Sequence, residues 1–336
     1  MNGQPLTDQA PAATAALRLG TRRSALAMAQ SGMVAREVTR VTGRPVELVE
    51  ITTYGDTSRE ALAQIGGTGV FVSALRDALL EGRIDFAVHS LKDLPTAEPE
   101  GLALAAVPVR EDVRDALVAR EGLALGELVE KLAGAGRTAR IGTGSPRRMA
   151  QLNAWARARG AQIETVAIRG NVDTRIGFVS SGELDAVVLA TAGLNRLGRA
   201  AEITEHLDPE LMIPAPGQGA LAIECTAAQG GLAAALSALD HAPTRVAVAA
   251  ERALLATLEA GCSAPVAALA TWGHASELRL EGVVGTVDGA TLLKMSANGP
   301  IVLDETAERQ AAALGRALAA RLLDAGAATL MGERAR

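Results

Sequence analysis

The chain has 336 residues, a length that suggests roughly two or three domains, and its 49% hydrophobic and 21% charged content is an ordinary globular balance. Aromatic residues make up only 2%, so the cores are expected from Ala, Val and Leu, and base stacking on aromatic platforms is disfavoured. A formal net charge of −5 supplies no global basic field for nucleic acid or an anionic membrane.

Only Lys92, Lys131 and Lys294 are lysines, so arginine provides 30 of the 33 side-chain cations. An isolated Arg is therefore read as a solvated surface residue, and only clusters at turns or element ends count as signals. Cys225 and Cys262 are too few for a disulfide scaffold at this length. The first twenty residues lack a basic start and a continuous apolar run, so no secretory signal is expected. No stretch reaches the roughly 18 apolar residues of a membrane span. A cytoplasmic, reducing compartment is the expectation.

Residues 1–15, rich in Pro, Ala, Gln and Thr, read as a tail. Short β-branched runs then alternate with helical periods, the pattern of an α/β fold. Strands are expected over 17–21, 46–52, 84–89, 102–108, 139–142, 162–168, 185–190 and 220–225. Helices are expected over 24–42, 70–82, 146–159, 172–182 and 244–259. In the first helix Leu26, Ala29, Met33 and Val41 form the apolar stripe, with Arg36, Glu37 and Arg40 outward. The segments 107–115 and 213–220 read as crossovers. Beyond about 240 a long helix precedes strands near 266–271, 278–285 and 291–297 and a final helix over 305–325. These shifts give 16–110 with 213–235 as a discontinuous first α/β domain, 111–212 as a second, and 238–336 as a smaller α+β domain. No internal repeat is visible.

Four segments could carry chemistry. In VHSLKDLP (88–95), a buried strand delivers Ser90, Lys92 and Asp93 to the carboxyl edge of a sheet, where ligands bind in open α/β folds. A cation beside Asp93 favours an ionised carboxylate able to stabilise a cationic intermediate, although a plain surface turn would look the same. His89 has no second His or Cys at metal-ligand spacing, so no metal is expected. In RIGTGSPRRMAQL (140–152), Ser145 and Pro146 mark a helix start, and free N–H groups there make an anion site. Arg147 and Arg148 oppose the helix dipole unless an anion lies between them.

AIRGNVDTRI (167–176) adds Arg169, a capping Asn171 and Arg175, and GTRRSALAMAQ (20–30) places further arginines at a strand–helix junction. Guanidinium forks bind carboxylates bidentately, so this set implies a ligand with several carboxylates. Neither phosphate-loop pattern follows a strand. In ERALLATLEAGCSAP (251–265), a helix is expected to end at a left-handed Gly261, leaving Cys262 as an accessible loop thiol. Cys225 lies in the apolar run ALAIEC and reads as inert core. A Cys225–Cys262 disulfide stays open on the residues alone, and a reducing compartment argues against it. No Cys–His protease arrangement or serine triad order is evident. These features leave three classes: an enzyme acting on polyanionic units, a binding protein for a di- or tricarboxylate, and a nucleotide-handling transferase.

The motifs GTRRSALAMAQ, GGTGVFVSALRDALLEGRIDFAVHSLKDLPT, IGTGSPRR, IRGNVDTR, AGLNRLG, PAPGQGALAIEC and ERALLATLEAGCSAPV, in this order, resemble the porphobilinogen deaminase (hydroxymethylbilane synthase) family from about residue 17 to about 330. The resemblance implies two domains like type II periplasmic binding proteins and a smaller third domain. It implies a transferase of tetrapyrrole (haem) biosynthesis that joins four porphobilinogen molecules head to tail into 1-hydroxymethylbilane, releasing ammonia. It also implies a covalent dipyrromethane cofactor in thioether linkage to Cys262, with Asp93 as the catalytic carboxylate that stabilises an azafulvene-like cation. Arg22, Arg147, Arg148, Arg169, Arg175 and Arg196 would bind acetate and propionate groups. Ser24, Ser90, Lys92, Thr143 and Ser145 would line the same cleft, with Asp56, Phe71 and Gln218 as secondary candidates. Porphobilinogen is the implied partner, with no nucleic acid and no membrane, and the implied state is a monomer.

The chain departs from the pattern at several positions. Thr68 and Ser73 stand where many members have Lys, Gly144 where Ser is common, and Tyr54 where Arg is frequent, which weakens Asp56 as a cofactor contact. None of these alters Asp93 or Cys262.

Overall fold

The structure, a computed structural model, describes residues 15–52, 69–97, 99–260 and 264–331. In chain order it contains β1 (Leu17–Thr21), α1 (Ala25–Thr42), β2 (Val46–Glu50), α2 (Gly69–Leu80), β3 (Phe86–Ser90), β4 (Leu102–Ala106), β5 (Asp115–Ala119), α3 (Leu125–Gly134), β6 (Ala139–Thr143) and α4 (Pro146–Ala158). There follow β7 (Ile163–Ala167), α5 (Val172–Ser180), β8 (Ala186–Ala190), α6 (Thr191–Arg196), β9 (Glu205–Leu207), β10 (Leu221–Thr226), α7 (Gly230–Leu236) and α8 (Ala242–Thr257). The last elements are β11 (Val266–Trp272), β12 (Glu277–Gly285), β13 (Leu292–Pro300), α9 (Ala307–Asp324) and α10 (Ala327–Leu330).

Three sheets organise these elements, in an α/β class with a smaller α+β unit at the end. The first has the order β2-β1-β3-β10-β4 and the second β7-β6-β8-β5-β9. Each begins with three parallel strands and then takes in an antiparallel strand from a distant part of the chain, β10 or β5. The two sheets thus repeat one strand plan although the sequence shows no repeat, because a shared backbone layout constrains burial rather than residue identity. The third sheet is the antiparallel meander β11-β12-β13, covered by α8 and α9.

Two segments join the α/β layers. Residues 107–114 lead from β4 to β5, and 208–220 lead back to β10. They touch: Glu111 N donates to Gly219 O at 3.2 Å. Gly219 has φ +86, and a Cβ there would lie 2.5 Å from Glu111 O, so the approach requires glycine. The sequence reading carries the first crossover through Asp115, whereas the structure begins a strand there. DALVA is short and buried on both faces, so it lacks the alternation that announces a strand.

Two further expectations are corrected. The buried face of α1 is Gln30, Ser31, Val34 and Val38, and Met33 of the expected stripe is exposed. Gln30 and Ser31 can be buried because Gln30 Nε2 donates to Ser90 Oγ at 2.9 Å and Ser31 Oγ to Thr21 Oγ1 at 2.8 Å. Hydrophobicity alone does not register such polar burial. The helix α8 ends at Thr257 rather than 259, and Glu259 beyond it is left-handed, φ 51; the left-handed Gly261 expected from the sequence lies outside the described residues.

The cores are aliphatic, as the composition requires, and Phe86 is the only aromatic among the largest fully buried side chains of the described residues. One cluster ties the third sheet to the crossovers: Ala267, Leu269 and Val283 pack on Ile213, with Val113 alongside.

Candidate active site

The strand β3 is buried until Ser90, after which Leu91–Asp93 form one turn of 3-10 helix. Leu91 and Leu94 point into the core at 0% and 5% exposure, which forces Lys92 and Asp93 outward. Lys92 is half-buried and Asp93 exposed at the sheet's carboxyl edge, where the sequence reading puts them. Ser90 is held by Gln30 from α1.

The corresponding edge of the second sheet is the end of β6. Thr143 Oγ1 accepts Ser145 N at 3.2 Å, Ser145 occupies the N-cap of α4 without spending its hydroxyl on a cap bond, and Pro146 opens the helix. Arg147 and Arg148 in the first turn are 4% and 5% exposed. The anion that their placement demands belongs to the protein itself. Asp115, at the start of β5 and fully buried, accepts Arg147 Nη1 at 2.7 Å on one oxygen and Arg148 Nη2 at 2.7 Å on the other. Arg147 also donates to Ile213 O at 2.7 Å and Arg148 to Val188 O at 2.9 Å. The desolvation cost on Asp115 is more than offset by the two guanidinium charges, so its carboxyl stays far below the usual carboxylate range.

Gln218 joins the two edges. Its Nε2 donates to Asp115 Oδ1 at 2.9 Å and Val113 O at 2.8 Å, while its Oε1 accepts Lys92 Nζ at 3.4 Å. Burial pushes the Lys92 ammonium down to about 8; Asp93 opposes that shift, and Arg148 adds to it. One lysine therefore senses both the carboxylate turn of the first layer and the arginine pair of the second.

The remaining arginines surround this axis. Arg175, one turn into α5, donates to Gly170 O at 2.9 Å; burial and then the charge of Arg148 lower it from its ordinary value. Arg196, at the end of α6, donates to Gly219 O at 2.6 Å and is likewise lowered, chiefly by burial. Arg22 is half-buried after β1, and Arg169 is exposed after β7. Ser24 accepts Ala27 N at 3.3 Å as the cap of α1. Asp56, Cys262 and the side chain of Phe71 lie outside the described residues. Cys225 is buried in β10, and burial followed by the nearby Glu224 raises its thiol.

The donor set suits carboxylates. Arg147 Nε and Arg196 Nε are buried and have no hydrogen-bond partner among the described residues. Together with the half-buried Lys92 and the uncapped Ser145 hydroxyl, they can accept anionic groups that Asp115 does not already neutralise. A polyanionic pyrrole cofactor fits that chemistry. No group of three or more His, Cys, Asp or Glu able to hold a metal is found among the described residues.

Sequence reasoning missed the buried acids that order this region. Besides Asp115, Glu251 on α8 accepts Arg110 at 2.7 and 2.9 Å, Gly217 N at 2.7 Å and Ala270 N at 2.9 Å, binding both crossovers to the third sheet. Glu224 on β10 accepts Arg76 at 2.8 and 3.1 Å and lies 3.1 Å from His89 Nε2. A signal existed for Glu251: it stands between Ala247 and Leu254 on the apolar stripe of its helix, where an unpaired acid would be expelled.

Comparison with known proteins supplies a family. Residues 17–234 match the model described as porphobilinogen deaminase, dipyromethane cofactor binding domain, and residues 246–324 match that of the porphobilinogen deaminase C-terminal domain. Porphobilinogen deaminase 1 of Streptomyces avermitilis is 68% identical over 95% of this chain and 98% of its own length. Porphobilinogen deaminase of Thermobifida fusca is 52% identical over 96% and 98%. Among solved structures, an arginine-specific periplasmic binding protein of Salmonella typhimurium aligns at TM-score 0.36 and 14% identity, covering 67% of this chain and 91% of that one. An R. palustris protein with adipate aligns at 0.40 and 14%, covering 72% and 83%. The chain belongs to the porphobilinogen deaminase family.

Proposed function

We propose that this chain joins four porphobilinogen molecules head to tail into 1-hydroxymethylbilane, releasing ammonia at each addition, as a transferase of tetrapyrrole biosynthesis. The observation that carries the reading is the hydrogen-bonded run from Lys92 through Gln218 and Asp115 to Arg147 and Arg148, which joins a carboxylate turn to a cation-rich cleft. A pure carboxylate-binding protein would use the arginines and leave Asp93 without a task. A dipyrromethane held by a thioether to Cys262 supplies, when bound, the pyrrole end on which the chain is built.

The residues divide the work. Each porphobilinogen brings two carboxylates; Arg22, Arg169, Arg175 and Arg196 take them up with the unused donors of Arg147 and Arg148. Ser24, Ser90, Thr143 and Ser145 contribute polar lining, and Lys92 adds a cation next to the reacting centre. When ammonia leaves the substrate, its methylene carbon becomes part of a cation, and the exposed Asp93 carboxylate provides the countercharge. Asp115 stays with the arginine pair and keeps two buried guanidinium groups from repelling each other. Gln218 holds Lys92 toward that pair; Asp56 and Phe71 are assigned to the same cleft.

In this reading residues 16–110 with 213–235, residues 111–212 and residues 238–336 act as three domains, with Cys262 on the third. Porphobilinogen is the partner, and no nucleic acid or membrane is needed; no helix of the described residues is long and apolar enough to cross a membrane. The protein acts as a cytoplasmic monomer.

Purified protein incubated with porphobilinogen tests the assignment. One ammonia is expected per porphobilinogen consumed, and Asp93→Ala should lower turnover on the order of 100-fold or more while leaving the fold intact. Near-normal turnover in that variant would remove Asp93 from its role.

A further inference from the structure

The turn that carries Asp93 is too short to satisfy its own backbone. Leu94 N donates to Leu91 O at 3.1 Å, closing the 3-10 turn, but Leu94 and Pro95 have carbonyls at its exit with no place in a helix or strand. Both leucines are buried, so water is a poor substitute there. The partner comes from a different sheet's helix. Arg252 of α8 donates Nη1 to Leu94 O at 2.9 Å and to Leu91 O at 3.4 Å, and Nη2 to Pro95 O at 2.7 Å. Val248, one helical turn earlier, packs in the same cluster as Leu91 and Leu94. The helix therefore supports the turn from beneath with an apolar contact and a forked cation.

We propose that Arg252 is a positioning residue for Asp93, fixing the carboxylate through the carbonyls on either side of it. The inference rests on the reading of Asp93 as the catalytic carboxylate and adds what holds it in place. A planar guanidinium presents several donors in a fixed fork, so it defines the spacing of three carbonyls at once; a lysine ammonium has no such geometry. The same helix ends at Thr257, five residues before Cys262. Its neighbour Glu251 locks α8 to both crossovers. Arg252 thus ties the helix that precedes Cys262 in the chain to the turn that bears the countercharge.

The test uses holoenzyme of Arg252→Ala, Arg252→Lys and Asp93→Ala, assayed for porphobilinogen turnover and by hydrogen–deuterium exchange over residues 90–97. In Arg252→Ala, kcat should fall roughly 10- to 100-fold with KM within about twofold, because a displaced carboxylate costs rate rather than binding. Exchange over 90–97 should accelerate, and low, non-denaturing guanidinium should restore part of the rate. Arg252→Lys should fall between that variant and the unaltered protein. Unchanged kcat, or a loss that tracks the folded fraction with no guanidinium rescue in either variant, overturns the positioning role. Normal turnover in Asp93→Ala instead overturns the catalytic reading beneath it; a dead Asp93→Ala beside a normal Arg252→Ala removes only Arg252.

Discussion

Asp115 and Arg148 are joined twice, with Nε and Nη2 of the arginine donating to one carboxylate oxygen at 3.0 and 2.7 Å, while Arg147 takes the other oxygen. Removing one member of a buried ion cluster leaves the others desolvated and unpaired. Asp115→Ala should therefore destabilise the protein by about 3–5 kcal/mol in denaturant titration. Asp115→Asn, which keeps acceptor geometry for one arginine, should lose less. Two variants as stable as the original protein would mean that the arginines find other partners.

Glu224 gives the protein an acid limit. Desolvation works against its charge, but the His89 and Arg76 contacts prevail and hold its carboxyl down at about 2. A carboxyl depressed in the folded state stabilises fully above its unfolded value, roughly 4, and that stabilisation is lost as pH falls through the folded value. Stability should drop between about pH 4 and pH 2, and Glu224→Gln should flatten this part of the curve. An identical acid limb in the variant would locate the transition elsewhere, Asp115 being the first alternative.

Lys92 provides a signature on the alkaline side. With its ammonium at about 8, the residue is charged below that pH and neutral above it, so capture of substrate carboxylates should weaken as pH rises through 8. KM should rise by roughly tenfold across this range, the scale of one charged hydrogen bond. Lys92→Arg cannot lose its proton and should show a flatter profile, which separates Lys92 from titration of the substrate amine. If both proteins rise in parallel, Lys92 is not the group responsible.

The third sheet reaches α4 with the tip of the hairpin between β12 and β13. Gly289 there has φ +69, and a Cβ would lie 2.3 Å from Ala154 N. Asn153 Nδ2 donates to Val287 O at 2.8 Å and Arg157 Nε to Asp288 O at 3.0 Å at the same contact. Gly289→Ala combines left-handed strain with a backbone clash and should cost about 2–3 kcal/mol, with faster hydrogen exchange in the hairpin and α4. A neutral substitution would show that the tip does not seat on the helix.

Much of the fold was legible because strand and helix periods are strong where one face is apolar. The Lys92–Asp93 turn and the Arg147–Arg148 helix start could be placed at sheet edges from local pattern alone. What escaped was polar burial. Asp115 begins a five-residue strand that reads as loop, and its partners are more than thirty positions away. Gln30 and Ser31 face inward on α1 because their hydrogen bonds are met by Ser90 and Thr21, which no hydrophobic pattern reveals. Arg252 was invisible for another reason: in a chain where arginine is the usual cation, an arginine on a helix carries no information until its carbonyl partners are seen.

Intact mass of the purified active protein shows whether a dipyrromethane primer on Cys262 serves the Asp93 cleft. The expected mass exceeds that of the sequence by one two-pyrrole unit, an increment retained in Cys225→Ala, whose thiol is buried, and lost in Cys262→Ala together with activity. An unmodified mass in fully active protein, or full activity in Cys262→Ala, would contradict it.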